Sequence, residues 1–134
     1  MAGREILIVE DEPHTRLALN IVLRQAGFKV LEAENGRQAY ERLAQLPEPR
    51  SVKLIITDFK MPELDALGLL DLLRQADIAI PILVITGYGD NELRRQLRTR
   101  GCTAYIDKPF IPEEVVSRVA SILHPPALPH SQTC

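Results

Sequence analysis

Five short apolar runs, each followed by an amphipathic segment, are the feature that most constrains the fold of this chain. The runs are ILIV (6–9), FKVL (28–31), LII (54–56), ILVI (82–85) and AYI (104–106). Four of them are nearly continuous, which is typical of strands buried on both faces of a parallel sheet. The second run alternates more between apolar and polar residues, and it therefore suits a strand at the edge of that sheet.

The segments between these runs carry apolar residues at spacings of three and four, which predicts helices. Gly27 is placed to end the first helix, and Asn35 and Asp65 are placed to cap the second and the third. The fourth segment (91–100) has few apolar residues, whereas the fifth opens on Pro112 at a favoured first-turn position. The repeated alternation of strand and helix predicts an α/β, doubly wound fold with right-handed crossovers and helices on both faces of a five-stranded parallel sheet.

The composition argues against several classes of protein. The chain has 134 residues, a net charge of −2, no Trp and 4% aromatic residues, so neither a basic surface nor stacking rings for nucleic acid are expected. No apolar segment reaches the length of about 18 residues that a membrane helix needs. Cys102, Cys134 and three scattered histidines offer neither a disulfide framework nor a zinc-ligand spacing.

One domain over residues 4–124 and a flexible, proline-rich C-terminal tail over residues 125–134 are predicted. Three prolines within the segment 124–134 rule out a continuing helix there. The letters MAGRE at the start lead directly into the first strand-like run, which favours the absence of a signal peptide and a cytoplasmic location.

Acidic side chains follow two of the predicted strands. Glu10 and Asp11 come after the first strand and Asp58 after the third, at the sheet edge where ligands of doubly wound folds bind. Carboxylates that converge in a cleft repel one another, and a hard divalent cation with oxygen ligands relieves this repulsion. The sequence therefore predicts a Mg²⁺ (or Mn²⁺) site formed by Glu10, Asp11, Asp58 and a backbone oxygen of Lys60; a solvated loop with a helix cap is the alternative for the first acidic group.

The remaining strand ends carry groups suited to phosphoryl transfer. A carboxylate such as Asp58 can act as a nucleophile and form an aspartyl phosphate. The transition state spreads charge over three oxygens, which the cation, the Thr86 hydroxyl and the Lys108 ammonium can stabilise. Gly87 leaves room for the phosphodonor. Each residue alone has an ordinary structural explanation, and their coincidence at four strand ends favours the chemical one.

With these motifs the chain resembles the receiver domain of two-component response regulators. The matching stretches are ILIVEDEP (6–13), LIITDFKMP (54–62), PILVITG (81–87) and GCTAYIDKPF (101–110). The resemblance implies a flavodoxin-like (CheY-like) fold with strand order 2-1-3-4-5. It also implies a role for six residues: Asp58 as phosphoacceptor, Glu10 and Asp11 as the acidic pair, Thr86 as switch hydroxyl, Lys108 as phosphate-binding lysine and Tyr105 as the aromatic side chain that changes rotamer.

The resemblance further implies that the protein is a signalling switch rather than an enzyme. Its expected partners are a sensor histidine kinase or a phosphotransfer protein, and a downstream effector or output domain. His14 and Arg16 begin the first helix beside the acidic residues, where a kinase is expected to dock. The arginines of the fourth helix indicate either a solvated face or, as the sharper hypothesis, a partner or homodimer surface on the face of the fourth helix, fifth strand and fifth helix: Arg94, Arg95, Arg98 and Arg100.

The chain departs from the family pattern at three places. Position 10 is Glu where the family often has Asp, and the loop MPELDA (61–66) lacks both glycines of the usual loop. Lys60 places a cation near the entrance of the site, and we predict that it changes how readily water reaches the acyl phosphate, in a direction that the sequence leaves open.

Other functions fit the sequence less well. A phosphate-independent pseudo-receiver would have lost the nucleophile, the acidic pair or the lysine, and an aspartyl phosphohydrolase would have an acid where Lys60 stands. A flavin-binding domain would need a hydroxyl- and glycine-rich loop after the first strand, where three acids would repel an anion. The start at Met1 and the tail favour a stand-alone receiver over the N-terminal receiver of a larger regulator with a DNA-binding or enzymatic output domain.

Overall fold

Ten helices and strands alternate along the residues that the computed structural model describes, which are 5–48, 51–59, 64–87, 91–102 and 104–123, without the side chains of residues 91 and 93. In chain order they are β1 (Glu5–Val9), α1 (Pro13–Gln25), β2 (Lys29–Ala33), α2 (Gly36–Gln45), β3 (Val52–Asp58), α3 (Ala66–Gln75), β4 (Ile82–Thr86), α4 (Asn91–Thr99), β5 (Ala104–Asp107) and α5 (Pro112–Leu123).

The five strands form one parallel sheet in the order β2-β1-β3-β4-β5, which confirms the flavodoxin-like topology and the edge position of β2. Strand β2 begins one residue later than the predicted apolar run. Gly27 has a φ of 99°, and the Phe28 amide donates to the Leu23 carbonyl at 3.1 Å, so this turn closes α1 before the strand begins.

Two apolar layers cover the two faces of the sheet. One layer packs α2, α3 and α4 against the sheet and includes Leu43, Leu69 and Leu97, whereas the other packs α1 and α5 and includes Leu19 and Val119. The inner residues of β1 and β4 are fully or almost fully buried. This agrees with the prediction from their continuous apolar runs that both faces are covered.

The predicted helix caps are confirmed where the structure describes them. The Asn35 carboxamide oxygen accepts the Gln38 amide at 2.8 Å, and the Asp65 carboxylate accepts the Gly68 amide at 3.0 Å. At the start of α1 the cap is Glu12, which accepts the Thr15 amide at 2.7 Å. Glu12 is thus occupied by the helix, and the two preceding acids are left for the site.

The predicted tail over residues 125–134 lies outside the described residues, as does Lys60. None of the helices within the described ranges is long and apolar enough to cross a membrane.

Gly36 lets the start of α2 approach the segment before α3. A Cβ at this position would lie 2.4 Å from the Leu64 backbone oxygen, which is closer than real Cβ atoms come to other atoms. Because backbone has to move to relieve this contact, we expect Gly36→Ala to lower the free energy of unfolding by about 2 kcal/mol, as measured by urea denaturation. Gly87→Ala is the control, since a Cβ there meets nothing within 4 Å. Equal stability of the two variants would contradict this assignment.

Candidate functional site

Backbone hydrogen bonds beyond the strands hold the strand-end residues at one edge of the sheet. The Glu10 amide donates to the Ala33 carbonyl at 3.0 Å, and the Lys108 amide donates to the Thr86 carbonyl at 2.7 Å. Between them, the amide of Phe59 donates to a carbonyl of β4 at 2.9 Å. Parallel pairing therefore continues for one residue past the strands, and it fixes the direction in which each loop leaves the sheet.

The three acids predicted as cation ligands lie together. Carboxylate oxygens of Glu10, Asp11 and Asp58 are all within 4.8 Å of one another. Glu10 and Asp58 are buried, whereas Asp11 is exposed, so the cluster is held by the sheet but open to solvent on one side. These are oxygen donors of the kind that Mg²⁺ prefers, and the open side leaves room for the waters that it retains.

Glu10 is the acid that burial affects most. Desolvation raises the pKa of its carboxyl to about 7, although the Glu12 amide, which donates to it at 3.0 Å, acts in the opposite direction. The negative charge of Asp58 raises this pKa further. A bound cation would offset both the desolvation of Glu10 and its repulsion by Asp58, so the residues present fit a metal ion.

Arg16 supports the same loop from α1. Its Nη1 donates to the Glu10 carbonyl at 2.7 Å, and its Nε lies 3.6 Å from Glu32 on β2. The Arg16 side chain is 17% exposed, whereas that of His14 is 93% exposed. Of the two residues expected near a docking kinase, His14 is accessible and Arg16 is engaged in holding the loop after β1.

Lys108 is placed against the predicted phosphoacceptor. Its Nζ lies 2.9 Å from Asp58 Oδ1, in a pair whose carboxylate side chain is 9% exposed. Burial on its own lowers the pKa of the Lys108 ammonium, but the hydrogen bond and charge of Asp58, together with the charges of Glu10 and Asp11, outweigh burial and raise it. Lys108 therefore stays protonated beside the carboxylates at neutral pH.

Thr86 lies at the end of β4 and is fully buried. Its hydroxyl donates to Asp107 Oδ1 at 2.8 Å, and Arg94 of α4 donates to Oδ2 of the same carboxylate. Thr86 and Arg94 are among the residues predicted from the sequence, whereas Asp107 is not. The available signal was its place one residue before Lys108, opposite the end of β4 in the predicted sheet.

Tyr105 is not part of the acidic cluster. It is half-buried on the face of β5 that α4 covers, with the Arg94 guanidinium 4.9 Å from its ring centroid. This distance is within the range of a cation–π contact. The Tyr105 ring is thus connected to Thr86 through Arg94 and Asp107.

Comparison with known proteins shows the family to which this fold belongs. A family model described as the response regulator receiver domain matches residues 6–120. The chain belongs to the response-regulator receiver family. It is a domain of the two-component signalling systems, and its similarity covers all of the strand ends described above.

Two curated relatives are similar over most of the chain. The phosphate regulon transcriptional regulatory protein PhoB of Pseudomonas aeruginosa is 34% identical over 92% of the chain and 53% of its own length. The transcriptional regulatory protein SrrA of Staphylococcus aureus is 37% identical over 90% of the chain and 48% of its own length. The chain thus spans about half the length of these relatives.

Solved structures have the same fold. FixJ-N superposes with a TM-score of 0.75 at 30% identity and covers 96% of this chain and 100% of its own. The chemotaxis response regulator CheY4 of Vibrio cholerae superposes with a TM-score of 0.81 at 24% identity, over 90% of this chain and 99% of its own.

Burial raises the pKa of the Glu10 carboxyl to about 7, so above that pH we expect its charge to destabilise the metal-free fold. The pKa is 4.5 in the unfolded chain and about 7 in the folded one, so the protonated carboxyl stabilises the folded state at low pH. The free energy of unfolding therefore falls as the pH rises from 4.5 through 7. In EDTA at pH 8 we expect Glu10→Gln to raise the free energy of unfolding by about 2 kcal/mol. Urea denaturation measures this, with the exposed Glu41→Gln as control. Equal stability of both variants would mean that the Glu10 charge is already compensated.

Proposed function

We propose that this receiver domain accepts a phosphoryl group on Asp58 in a Mg²⁺-dependent reaction and uses it as a reversible switch of partner binding. The single observation that carries the proposal is the contact of 2.9 Å between Lys108 Nζ and Asp58 within the carboxylate cluster. A nucleophile, a cluster of oxygen ligands and a fixed cation are thereby joined at one sheet edge.

In the proposed reaction a carboxylate oxygen of Asp58 attacks the phosphorus atom of a phosphohistidine or a small phosphodonor. A new bond forms between this oxygen and phosphorus, and the bond to the leaving group breaks with its electron pair remaining on that group. When bound, Mg²⁺ supplies positive charge to one phosphoryl oxygen. Lys108 gives up its contact with the free carboxylate and holds a second oxygen, and the Thr86 hydroxyl donates to a third.

The ligands proposed for Mg²⁺ are Glu10, Asp11, Asp58 and the backbone oxygen of Lys60. Asp11 and Asp58 suit direct ligation, and the longer Glu10 suits contact through a bound water. We propose a signalling role rather than an enzymatic one, because the acceptor of the phosphoryl group is the protein itself. Attack of water on phosphorus breaks the bond to the Asp58 oxygen and releases inorganic phosphate, so the switch is reversible.

We propose that a histidine kinase or a phosphotransfer protein docks on the side of α1 and α5. A surface groove of about 730 Å³ opens there beside Lys108, between α1 and the segment after β5, and His14 and Phe110 line it. Large apolar side chains are exposed on the same two segments: Leu17, Ile21 and Ile111. An exposed apolar surface of this kind favours a protein partner next to the phosphoacceptor.

A second face, formed by α4, β5 and α5, is proposed to carry the output, either as a homodimer or with a downstream effector. Arg95 and Arg98 are exposed there, whereas Arg94 and Arg100 are paired with Asp107 and Asp71. A stand-alone cytoplasmic regulator and the receiver of a longer regulator with an output domain stay alternative predictions. The length of the curated relatives, which are about twice as long as the chain, supports the second.

Incubation with Mg²⁺ and acetyl phosphate, followed by intact mass measurement, tests the central proposal. We expect one phosphoryl adduct on the wild type, none on Asp58→Asn and none on the wild type in EDTA. Asp77→Asn is the control, because Asp77 is exposed in a turn with a φ of 60° that Asn also adopts. An adduct on both Asp58→Asn and wild type, or on neither, would overturn the proposal.

Lys60 is predicted to control the lifetime of the aspartyl phosphate. After removal of the phosphodonor, loss of the adduct from Lys60→Ala should differ from that of the wild type by about threefold or more, since a cation two residues after Asp58 changes the access of water to phosphorus. Intact mass at successive times measures both rates, with Lys53→Ala, on the exposed side of β3, as control. Identical decay of the wild type and Lys60→Ala would remove this role.

A further inference from the structure

Asp107 connects the proposed switch hydroxyl to α4. It is the last residue of β5 and lies directly opposite Thr86 in the pairing of β4 with β5. One carboxylate oxygen accepts the Thr86 hydroxyl at 2.8 Å, and the other accepts Arg94. The two oxygens of the Asp107 carboxylate thus connect β5 to β4 and to α4.

A hydroxyl group has one proton to donate, and Thr86 donates it to Asp107. The Thr86 side chain is fully buried, so in this arrangement its proton is directed at the carboxylate rather than at solvent. A phosphoryl oxygen on Asp58 can receive this proton only when the bond to Asp107 breaks. The two hydrogen bonds of Thr86 therefore exclude each other.

Arg94 donates a hydrogen bond to the second oxygen of the Asp107 carboxylate. Its side chain is 24% exposed and that of Asp107 is 46% exposed, so the pair is partly shielded from water. The hydrogen bond from Arg94, followed by the one from Thr86, lowers the pKa of Asp107 and keeps it ionised as an acceptor. The Arg94 guanidinium also lies over the Tyr105 ring, which ties the carboxylate to the outer face of β5.

We propose that Asp107 and Arg94 form a latch that holds the Thr86 hydroxyl away from the phosphoryl site, and that phosphorylation of Asp58 must release it. Asp107 is then a positioning residue, which acts on the reaction through Thr86. Release of Thr86 leaves Asp107 with Arg94 alone, so the state of the hydroxyl is communicated to Arg94 and Tyr105 on the proposed output face. This inference rests on the proposed phosphorylation of Asp58.

A double-mutant cycle of Asp107→Ala and Thr86→Ala tests the latch. The rate constant of phosphorylation by acetyl phosphate with Mg²⁺ is measured by intact mass for the wild type, both single variants and the double variant. Loss of one charge-assisted hydrogen bond should raise the rate about three- to tenfold for Asp107→Ala when Thr86 is present. In the Thr86→Ala background the same change should have little effect, because there is no hydroxyl to release.

The cycle separates the latch from simpler effects. Removal of a negative charge near Lys108 would speed phosphorylation in both backgrounds by the same factor, and a purely structural ion pair would alter thermal stability without coupling to Thr86. Equal factors in the two backgrounds would overturn the latch and leave the proposed function intact. Absence of an adduct on the wild type would overturn the proposed function and the latch with it.

Arg94→Met is a second variant that keeps an unbranched side chain over Tyr105 but removes the hydrogen bond to Asp107. We expect a smaller acceleration than for Asp107→Ala, again abolished by Thr86→Ala. Thermal melting of each variant shows whether it is folded before the rates are compared. Arg95→Met is the matched control, because Arg95 pairs with Glu92 within α4 and lies outside the latch. Equal rates for Arg94→Met and Arg95→Met would assign no role to Arg94.

Discussion

The contact between Lys108 and Asp58 is the interaction on which the rest of the site depends. Carboxylates within 4.8 Å of one another at the end of a buried sheet would be costly without a nearby positive charge. Lys108 supplies this charge at 2.9 Å, from a loop fixed by its backbone bond to Thr86. Because the same ammonium also suits an incoming phosphoryl group, the group that stabilises the free site is the one that we propose to hold the phosphoryl group.

Much of the fold could be predicted from the sequence, because the signals that determine it are local. Continuous apolar runs identified the buried strands, and single residues such as Asn35 and Asp65 marked helix starts through hydrogen bonds to amides three residues later. The strand-end position of Asp58 and Lys108 then followed from parallel topology, and the structure brings the two side chains into contact. Strand order came from the family resemblance, since no local pattern determines it.

The direction of side chains within the site could not be predicted in the same way. Thr86 was identified from its position, but its bond to Asp107 depends on the register between β4 and β5, which sequence spacing does not specify. Arg94 and Arg95 are adjacent in sequence and alike in type, and only helix orientation places one on Asp107 and the other on Glu92. Side-chain contacts between different helices and strands can be identified only from the packed structure, whereas helix caps and strands can be predicted from the sequence.

The α1 side and the α4 side of the domain differ in how they are connected to Asp58, the proposed phosphoacceptor. On the α1 side, the groove is lined by Lys108, which contacts Asp58, and this is where we propose that a phosphodonor protein acts. On the α4 side, the proposed path from Asp58 to the surface passes through Thr86, Asp107 and Arg94, and in the proposed latch Thr86 exchanges its hydrogen bond to Asp107 for one to the phosphoryl group. Such exchanges are close to balanced in free energy, which lets a single phosphoryl group shift the population between two arrangements.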